Sequence, residues 1–101
     1  MTAELPAGFD PILHPPTRLQ IAAVLAQVSD AEFARLRSIT GVSDSVLSKH
    51  LGALADAGHV ALRKAAVDGR QRTWVSLTKP GRRAFVRHVA ALEALIATVP
   101  E

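Results

Sequence analysis

Small and hydrogen-bonding residues recur at short intervals near the middle of the chain, with one cation among them and no bulky apolar side chain. They are Asp44, Ser45, Ser48, Lys49, Gly52 and Ala53. Hydroxyl and ammonium groups can donate hydrogen bonds to base edges and to phosphates. Small side chains also let a helix backbone approach those groups closely. These residues therefore fit a helix that lies in the major groove of DNA, and they fit an ordinary solvated helix face equally well.

These residues share one face of a predicted helix. Ser43 is a good helix N-cap and Gly58 is a good stop, so the helix between them has about four turns. Leu47, Leu51 and Leu54 recur at i, i+4 and i+7 and form an apolar stripe on the opposite side. We expect the stripe to pack on a core and the polar face to stay free.

The segment that follows this helix predicts a β-hairpin. Residues 59–65 and 72–77 are predicted as two strands, and Asp68-Gly69 between them is a turn signal for a hairpin. A helix that leads directly into a hairpin with a basic tip is typical of a winged helix-turn-helix, in which the hairpin is the wing.

Two shorter helices are predicted before this unit. The first follows an N-cap at Thr17, has apolar residues at positions 21, 24, 25 and 28, and ends at Ser29-Asp30. The second spans residues 34–40, and Gly41 makes the turn into the next helix. Residues 31–33 fit either a short third strand or an early start of the second helix. The predicted fold is mainly α with a small β-hairpin, a winged helix-turn-helix over residues 17–78.

The ordered set of motifs resembles a known group of proteins. The matching residues are Ser43, Leu47-Ser48-Lys49-His50-Leu51, Leu54, Ala57-Gly58-His59-Val60, Asp68-Gly69-Arg70, and Leu77-Thr78 followed by Gly81-Arg82. Over residues 12–90 the chain is similar to small winged-helix transcriptional regulators of the multiple-antibiotic-resistance (MarR) and arsenical-resistance (ArsR) type. The specificity lies in the ordered combination, since each motif alone is weak.

The resemblance implies a regulator that binds double-stranded DNA, more often a repressor. The residues expected to contact DNA are Ser43, Ser45, Ser48, Lys49, His50, Arg63, Lys64, Arg70 and Arg72. Ser48 lies where this group commonly touches phosphate, and Lys49 is long enough to reach guanine. The alternative is a winged-helix module that binds an acidic protein without sequence-specific DNA binding. Strong salt dependence of binding would favour DNA.

The charge of the chain is concentrated in its second half. The net charge is +3, but residues 63–87 contain eight Lys or Arg and one acid, Asp68, which gives +7 for that segment. Such a cluster on the wing and the start of the last helix predicts a polyanionic partner. A solvated run of charge is the alternative explanation.

A long helix is predicted at the end of the chain, over residues 79–98, with Thr78 as its N-cap. Phe85, Val89, Leu92 and Ile96 recur on it as an apolar stripe. At about 1.5 Å per residue this helix is longer than a small winged helix needs to close its own core. The surplus apolar surface predicts a homodimer, and a two-fold dimer predicts a palindromic DNA site.

Residues 1–16 contain four of the six prolines and are predicted to form an arm. Phe9, Ile12 and Leu13 are too apolar to stay exposed, so we expect them to pack on the same chain or across the dimer interface. Ile12 and Leu13 are placed with the expected dimer residues.

The composition excludes several kinds of site. There is no cysteine, so disulfides and thiolate metal sites are excluded. The four histidines lack the spacing of a metal site and the acids are scattered singly, so no metal, cofactor or catalytic activity is expected. The longest apolar run, residues 21–26, is far too short to span a bilayer. We expect a cytoplasmic protein associated with the nucleoid. A small-molecule effector, if it has one, would lie between the first and last helices.

Overall fold

The computed structural model describes residues 6–98; the first five residues of the predicted arm and the last three residues of the chain lie outside this range. Within it, four helices surround a three-stranded sheet, so the predicted winged helix-turn-helix is confirmed. In chain order the elements are α1 (Pro16–Leu25), β1 (Ala31–Glu32), α2 (Phe33–Thr40), α3 (Asp44–Asp56), β2 (Val60–Val67), β3 (Arg70–Leu77) and α4 (Lys79–Ala97). None of the helices in residues 6–98 combines the length and the apolar character that crossing a membrane requires.

The helix-turn-helix consists of α2 and α3, joined at Gly41. Gly41 has a φ of 73° and ends α2 in the left-handed conformation, which glycine adopts without a steric penalty. Ser43 caps α3, because its Oγ accepts the backbone N–H of Val46 at 3.3 Å. Gly58, with a φ of 80°, ends α3, and its N–H and that of the next residue return to carbonyls of the last turn at 2.9 Å. Both predicted ends of this helix are confirmed.

The wing is a two-stranded hairpin that stays paired to its tip. Asp68 and Gly69 have φ angles of 50° and 75°, as a two-residue turn with two left-handed positions requires. The ladder of β2 and β3 therefore continues as far as the pair formed by Val67 and Arg70. The strands are longer at the tip than predicted, because the turn itself takes up just these two residues.

The alternatives for residues 31–33 both hold in part. Ala31 pairs with Val75 and Glu32 pairs with Trp74, which makes β1 the third strand of the sheet. The chain then turns into α2 at Phe33. The strand order is β1-β3-β2, and all pairs are antiparallel.

The start and end of α1 differ from the prediction. The helix begins at Pro16, with Pro15 at the N-cap position and no side-chain cap, so Thr17 is not the N-cap. Proline is tolerated there because N–H groups of the first turn have no partner within a helix. The helix ends at Leu25, before the predicted stop at Ser29-Asp30.

The core is aliphatic and receives side chains from the arm and from every helix and strand. It consists of Leu13, Ile21, Ala22, Leu25, Ala31, Leu36, Leu47, Leu51, Leu54, Val60, Val75 and Ala84. The predicted leucine stripe of α3 lies in this cluster, and its members are at most 2% exposed. Burial of that stripe fixes the rotation of α3 about its axis.

The arm folds back onto its own chain. Oδ1 of Asp10 accepts the backbone N–H groups of Ile12 and Leu13 at 2.8 and 3.2 Å, which forms a tight turn. Leu13 is fully buried in the core, and Ile12 packs against it. The assignment of Leu13 to the dimer interface is therefore wrong, since its side chain has no surface left for a second subunit. Ile12 likewise packs within its own chain.

Asp10 also fastens the arm to two histidines. Its backbone N–H donates to Nδ1 of His88 on α4 at 2.9 Å, and its Oδ2 lies 2.9 Å from Nε2 of His59. The rings of Phe9 and His14 pack against His88, with centroid distances of 4.7 and 5.6 Å. These contacts hold the arm against α4 and against the residue that follows the end of α3.

The last helix, α4, begins at a side-chain cap. Its first turn packs directly against the backbone of His59, which follows α3. Oγ1 of Thr78 accepts the N–H of Gly81 at 2.9 Å, as predicted for the cap. Gly81 is buried, and a Cβ at this position would overlap the backbone carbonyl of His59. The buried face of α4 consists of Gly81, Ala84, His88 and Ala91.

Candidate nucleic-acid interface

The polar face of α3 points away from the core. Ser45, Ser48 and Lys49 are exposed, and Gly52 is half-buried between α3 and the wing. We call these four residues the recognition face. Its small side chains leave the helix backbone open to close approach, and Lys49 adds a long cationic donor.

Polar groups in the first turn of α3 are held by other parts of the protein. Asp44 forms an ion pair with Arg37 of α2 at 2.8 Å, and both side chains remain about half exposed or more. Oγ of Ser43 accepts from the backbone of α3 and lies 3.3 Å from Oγ of Ser45. Ser43 is thus first a helix cap, and the hydroxyl of Ser45 is positioned beside it.

His50 is oriented by Arg18, a residue that the sequence did not single out. Nε of Arg18 donates to Nδ1 of His50 at 3.0 Å. Burial lowers the pKa of His50, and the positive charge of Arg18 lowers it further. A neutral ring that accepts at Nδ1 carries its proton on Nε2, which can donate to a phosphate. No spacing rule points to this pair, because the two residues are 32 positions apart.

Beside the recognition face lies an apolar residue that the sequence analysis did not expect. Val46 is 41% exposed. Val46 is not one of the residues named for the polar face of α3, so the expectation for that face is not affected. At 100° per residue, Val46 lies about a quarter turn from Leu47, so it belongs to the flank of the stripe and not to the stripe itself.

Two cations of the wing occupy different positions along the hairpin, one at its tip and one beside α3. Arg70 is exposed at the tip, directly after the turn. Lys64, opposite Thr73, lines a cleft of about 290 Å³ between α3 and the wing. Ser48 and Gly52 of the recognition face line the same cleft. The structure thus brings residues of the recognition helix and the wing together around one concave surface.

The other two cations of the wing are held at its base. Arg63 lies 3.4 Å from the carboxylate of Asp30, and Arg72 lies 3.3 Å from the carboxylate of Glu32. The side chains of these arginines are 62% and 39% exposed. Ion pairs between side chains as exposed as these are weak. Both arginines therefore keep most of their capacity to contact phosphate.

The histidines near the arm are a separate group. Burial lowers the pKa of His88 and His14 adds to this, while the carboxylate of Asp10 opposes it. Within residues 6–98, Nε2 of His88 and Nδ1 of His59 have no hydrogen-bond partner. No group of three or more His, Asp or Glu side chains in that range is arranged to hold a metal ion. Through their contacts with Asp10, His59 and His88 hold the arm against the rest of the domain.

The predicted dimer stripe lies beside the buried face of α4. Phe85, Val89 and Leu92 are half-buried, and Ile96 is 68% exposed. Leu95 on the same half of the helix is 48% exposed. The distal part of α4 therefore presents apolar side chains that residues 6–98 leave uncovered.

The chain matches one family and several known proteins. Residues 17–96 match the family described as winged helix DNA-binding domain. An uncharacterized protein of Methanocaldococcus jannaschii is 31% identical over 78 residues, which cover 77% of this chain and 85% of that protein.

Solved structures show the same fold. The structure of a transcriptional regulator homologue protein from Pyrococcus horikoshii aligns with a TM-score of 0.80 and 30% identity, over 85% of each chain. The heme sensor protein PefR of Streptococcus agalactiae, solved in complex with heme, aligns with a TM-score of 0.74 over 87% of this chain and 61% of that chain. At 21% identity the second likeness concerns the fold alone. The family match covers the helix-turn-helix, the wing and most of α4, and the chain therefore belongs to the family of winged helix DNA-binding domains.

Proposed function

We propose that the chain is a homodimeric transcriptional repressor that binds a palindromic site in double-stranded DNA. The observation that carries this proposal is the cleft in which Ser48 and Gly52 of α3 meet Lys64 of the wing. A convex recognition helix next to a basic hairpin can engage a major groove and the phosphates beside it at the same time.

In this complex the recognition face and the wing have different tasks. Lys49 reaches guanine O6 and N7, and Ser45 contacts a base edge directly or through water. Ser48 and His50 donate to phosphates and set the register of the helix. Arg70, at the tip of the wing, meets the minor groove or its phosphates. Arg63, Lys64 and Arg72 add charge that attracts the DNA backbone.

Dimerisation is supported by the uncovered side of α4. At about 1.5 Å per residue its 19 residues span roughly 28 Å. The core of the domain covers α4 as far as Ala91, whereas Ile96 and Leu95 stay exposed. Packing the stripe of Phe85, Val89, Leu92 and Ile96 against its symmetry mate removes this apolar surface from water.

Regulation of transcription is supported by the Pyrococcus horikoshii protein, described as a transcriptional regulator homologue, which shares 30% identity over 85% of both chains. Repression is inferred from the resemblance to MarR- and ArsR-type regulators, which are more often repressors; a dimer bound across a promoter would exclude polymerase by occupying the DNA.

Selection of bound fragments from genomic DNA tests the proposal. The purified chain is mixed with fragmented DNA, and the recovered pieces are sequenced. We expect an inverted repeat whose half-site centres lie about 34–36 Å apart. Affinity for that site should fall steeply as salt increases, since phosphate contacts release counterions.

A pair of charge reversals provides the control. Lys49→Glu on the recognition face should abolish enrichment, whereas Arg35→Glu at an exposed position of α2 should retain it. Absence of any enriched sequence, together with capture of an acidic protein, would support the interaction module and refute the repressor.

A further inference from the structure

Val46 occupies an unusual place on the recognition helix. It is the third residue of α3, one position after Ser45 of the recognition face, and its side chain is 41% exposed. Its backbone N–H is bound by the cap residue Ser43 at 3.3 Å, so the position of the residue is fixed. In helix-turn-helix proteins the N-terminal end of the recognition helix is the part that contacts base edges.

The stability of the protein does not account for a valine at this position. The packing of α3 is supplied by Leu47, Leu51 and Leu54, which are buried. A β-branched side chain loses χ1 freedom in a helix, so alanine has the higher helix propensity at this partly exposed position. The exposed part of the side chain is therefore free for a contact outside the chain.

The neighbours of Val46 limit what that contact can be. Asp44 is paired with Arg37, and Ser45 lies beside Ser43, so polar groups of the first turn have partners within the protein. Lys49 is the next residue on the same side, one turn further along. Val46 and Lys49 therefore present to a ligand an apolar side chain next to a cationic hydrogen-bond donor.

In the major groove, the C5-methyl group of thymine is the one apolar group that a base pair displays. We propose that Val46 recognises a thymine methyl in each half-site, beside the base contacted by Lys49. This assignment rests on the proposed function, and it adds a residue that specifies sequence through an apolar contact.

Replacement of thymine by uracil tests the assignment, because it removes the methyl group and leaves the hydrogen-bonding edge of the base intact. In the selected site, each thymine is replaced in turn in both half-sites. We expect one position at which the wild-type affinity falls by about fourfold for each half-site, the factor that goes with burial of one methyl-sized group. In Val46→Ala, the same replacement should have no effect.

The chain offers a closely matched control. Val28 is 42% exposed and lies away from α3, so Val28→Ala makes the same chemical change at a site of equal exposure. This variant should keep both the affinity and the sensitivity to uracil. Circular dichroism of each variant shows whether the fold is retained.

Two results overturn the assignment while leaving the proposed function standing. One is a specific site at which no thymine is sensitive to loss of its methyl group. The other is a Val46→Ala variant that stays as sensitive to uracil as the wild type, since the two losses would then add. Failure of the wild type to select any sequence overturns the proposed function itself, and the role of Val46 with it.

Discussion

Nε of Arg18 donates a hydrogen bond to Nδ1 of His50 over 3.0 Å, and this bond joins the first turn of α1 to the middle of α3. Nη1 of the same guanidinium donates to the carbonyl of Ile12 at 3.3 Å. The arm, α1 and the recognition helix are thus joined through a single side chain. Because His50 accepts at Nδ1, its Nε2–H is available for a phosphate.

Replacing Arg18 by glutamine tests this link. The pKa of His50 should rise towards its ordinary value, because a neighbouring positive charge is removed. DNA affinity should fall severalfold, since the imidazole is no longer held in one orientation. Resonances of His50 followed by NMR against pH give the pKa. Arg35→Gln, at an exposed position of α2, is the control, and an unchanged pKa of His50 in Arg18→Gln would contradict the link.

Arg70→Ala tests the wing. Arg70 is exposed at the tip, so its loss should weaken binding to all sequences alike. The slope of log affinity against log salt should decrease by roughly one unit for each contact, or about two for a dimer. Arg35→Ala, which removes an exposed charge from α2, should leave the slope as it is. Equal slopes for Arg70→Ala and wild type would mean that the wing does not touch DNA.

Lys49→Ala separates sequence recognition from phosphate contact. We expect it to cost about 1–3 kcal/mol per half-site on the selected DNA and clearly less on a scrambled duplex. Both duplexes are measured at one salt concentration. A loss of the same factor on both would make Lys49 a phosphate contact only.

Ile96→Glu tests the dimer. Ile96 is 68% exposed, so a charge there does not disturb the core, yet it would be buried between two subunits. The dissociation constant of the dimer should rise by roughly tenfold or more, because an unpaired charge is costly to bury. Sedimentation at several concentrations measures it. Val86 is 60% exposed on another side of α4, and Val86→Glu should leave assembly intact. Wild-type protein that stays monomeric at high concentration would refute the dimer.

His88 should make the stability of the fold depend on pH. Its pKa in the folded chain lies below the ordinary 6.5, so the unfolded chain binds a proton more readily. The contribution of His88 to the free energy of unfolding is fully present above pH 6.5. It is lost as the pH falls below that value towards the folded pKa. Thermal unfolding at about pH 7.5 and about pH 5.5 measures the loss. The loss should be smaller in His88→Gln, and an equal loss in both proteins would contradict this role of His88.

Features set by residues close together in the chain were predictable from the sequence. The caps at Ser43 and Thr78, the stop at Gly58 and the turn at Asp68-Gly69 depend on local backbone chemistry, and the structure has all of them. The leucine stripe of α3 was equally clear, because helical periodicity alone defines it.

Contacts between distant residues were not predictable. Asp10 reaches His59 and His88 across 49 and 78 positions, and no spacing rule connects them. The buried face of α4 was missed for a different reason. It contains Gly81 and His88, which resemble a helix breaker and a surface residue, so the periodicity of larger apolar residues pointed to the neighbouring stripe.

The close approach of Gly81 to the carbonyl of His59 has a mechanical consequence for the proposed dimer. Because no side chain separates them, α4 is in direct backbone contact with the segment that follows the recognition helix, and we expect the two helices to move together. If α4, which is roughly 28 Å long, rotates by about 5° about one end, its other end moves by about 2.5 Å. The distance between the two recognition helices, and hence the half-site spacing the dimer accepts, is then set by how two copies of α4 cross.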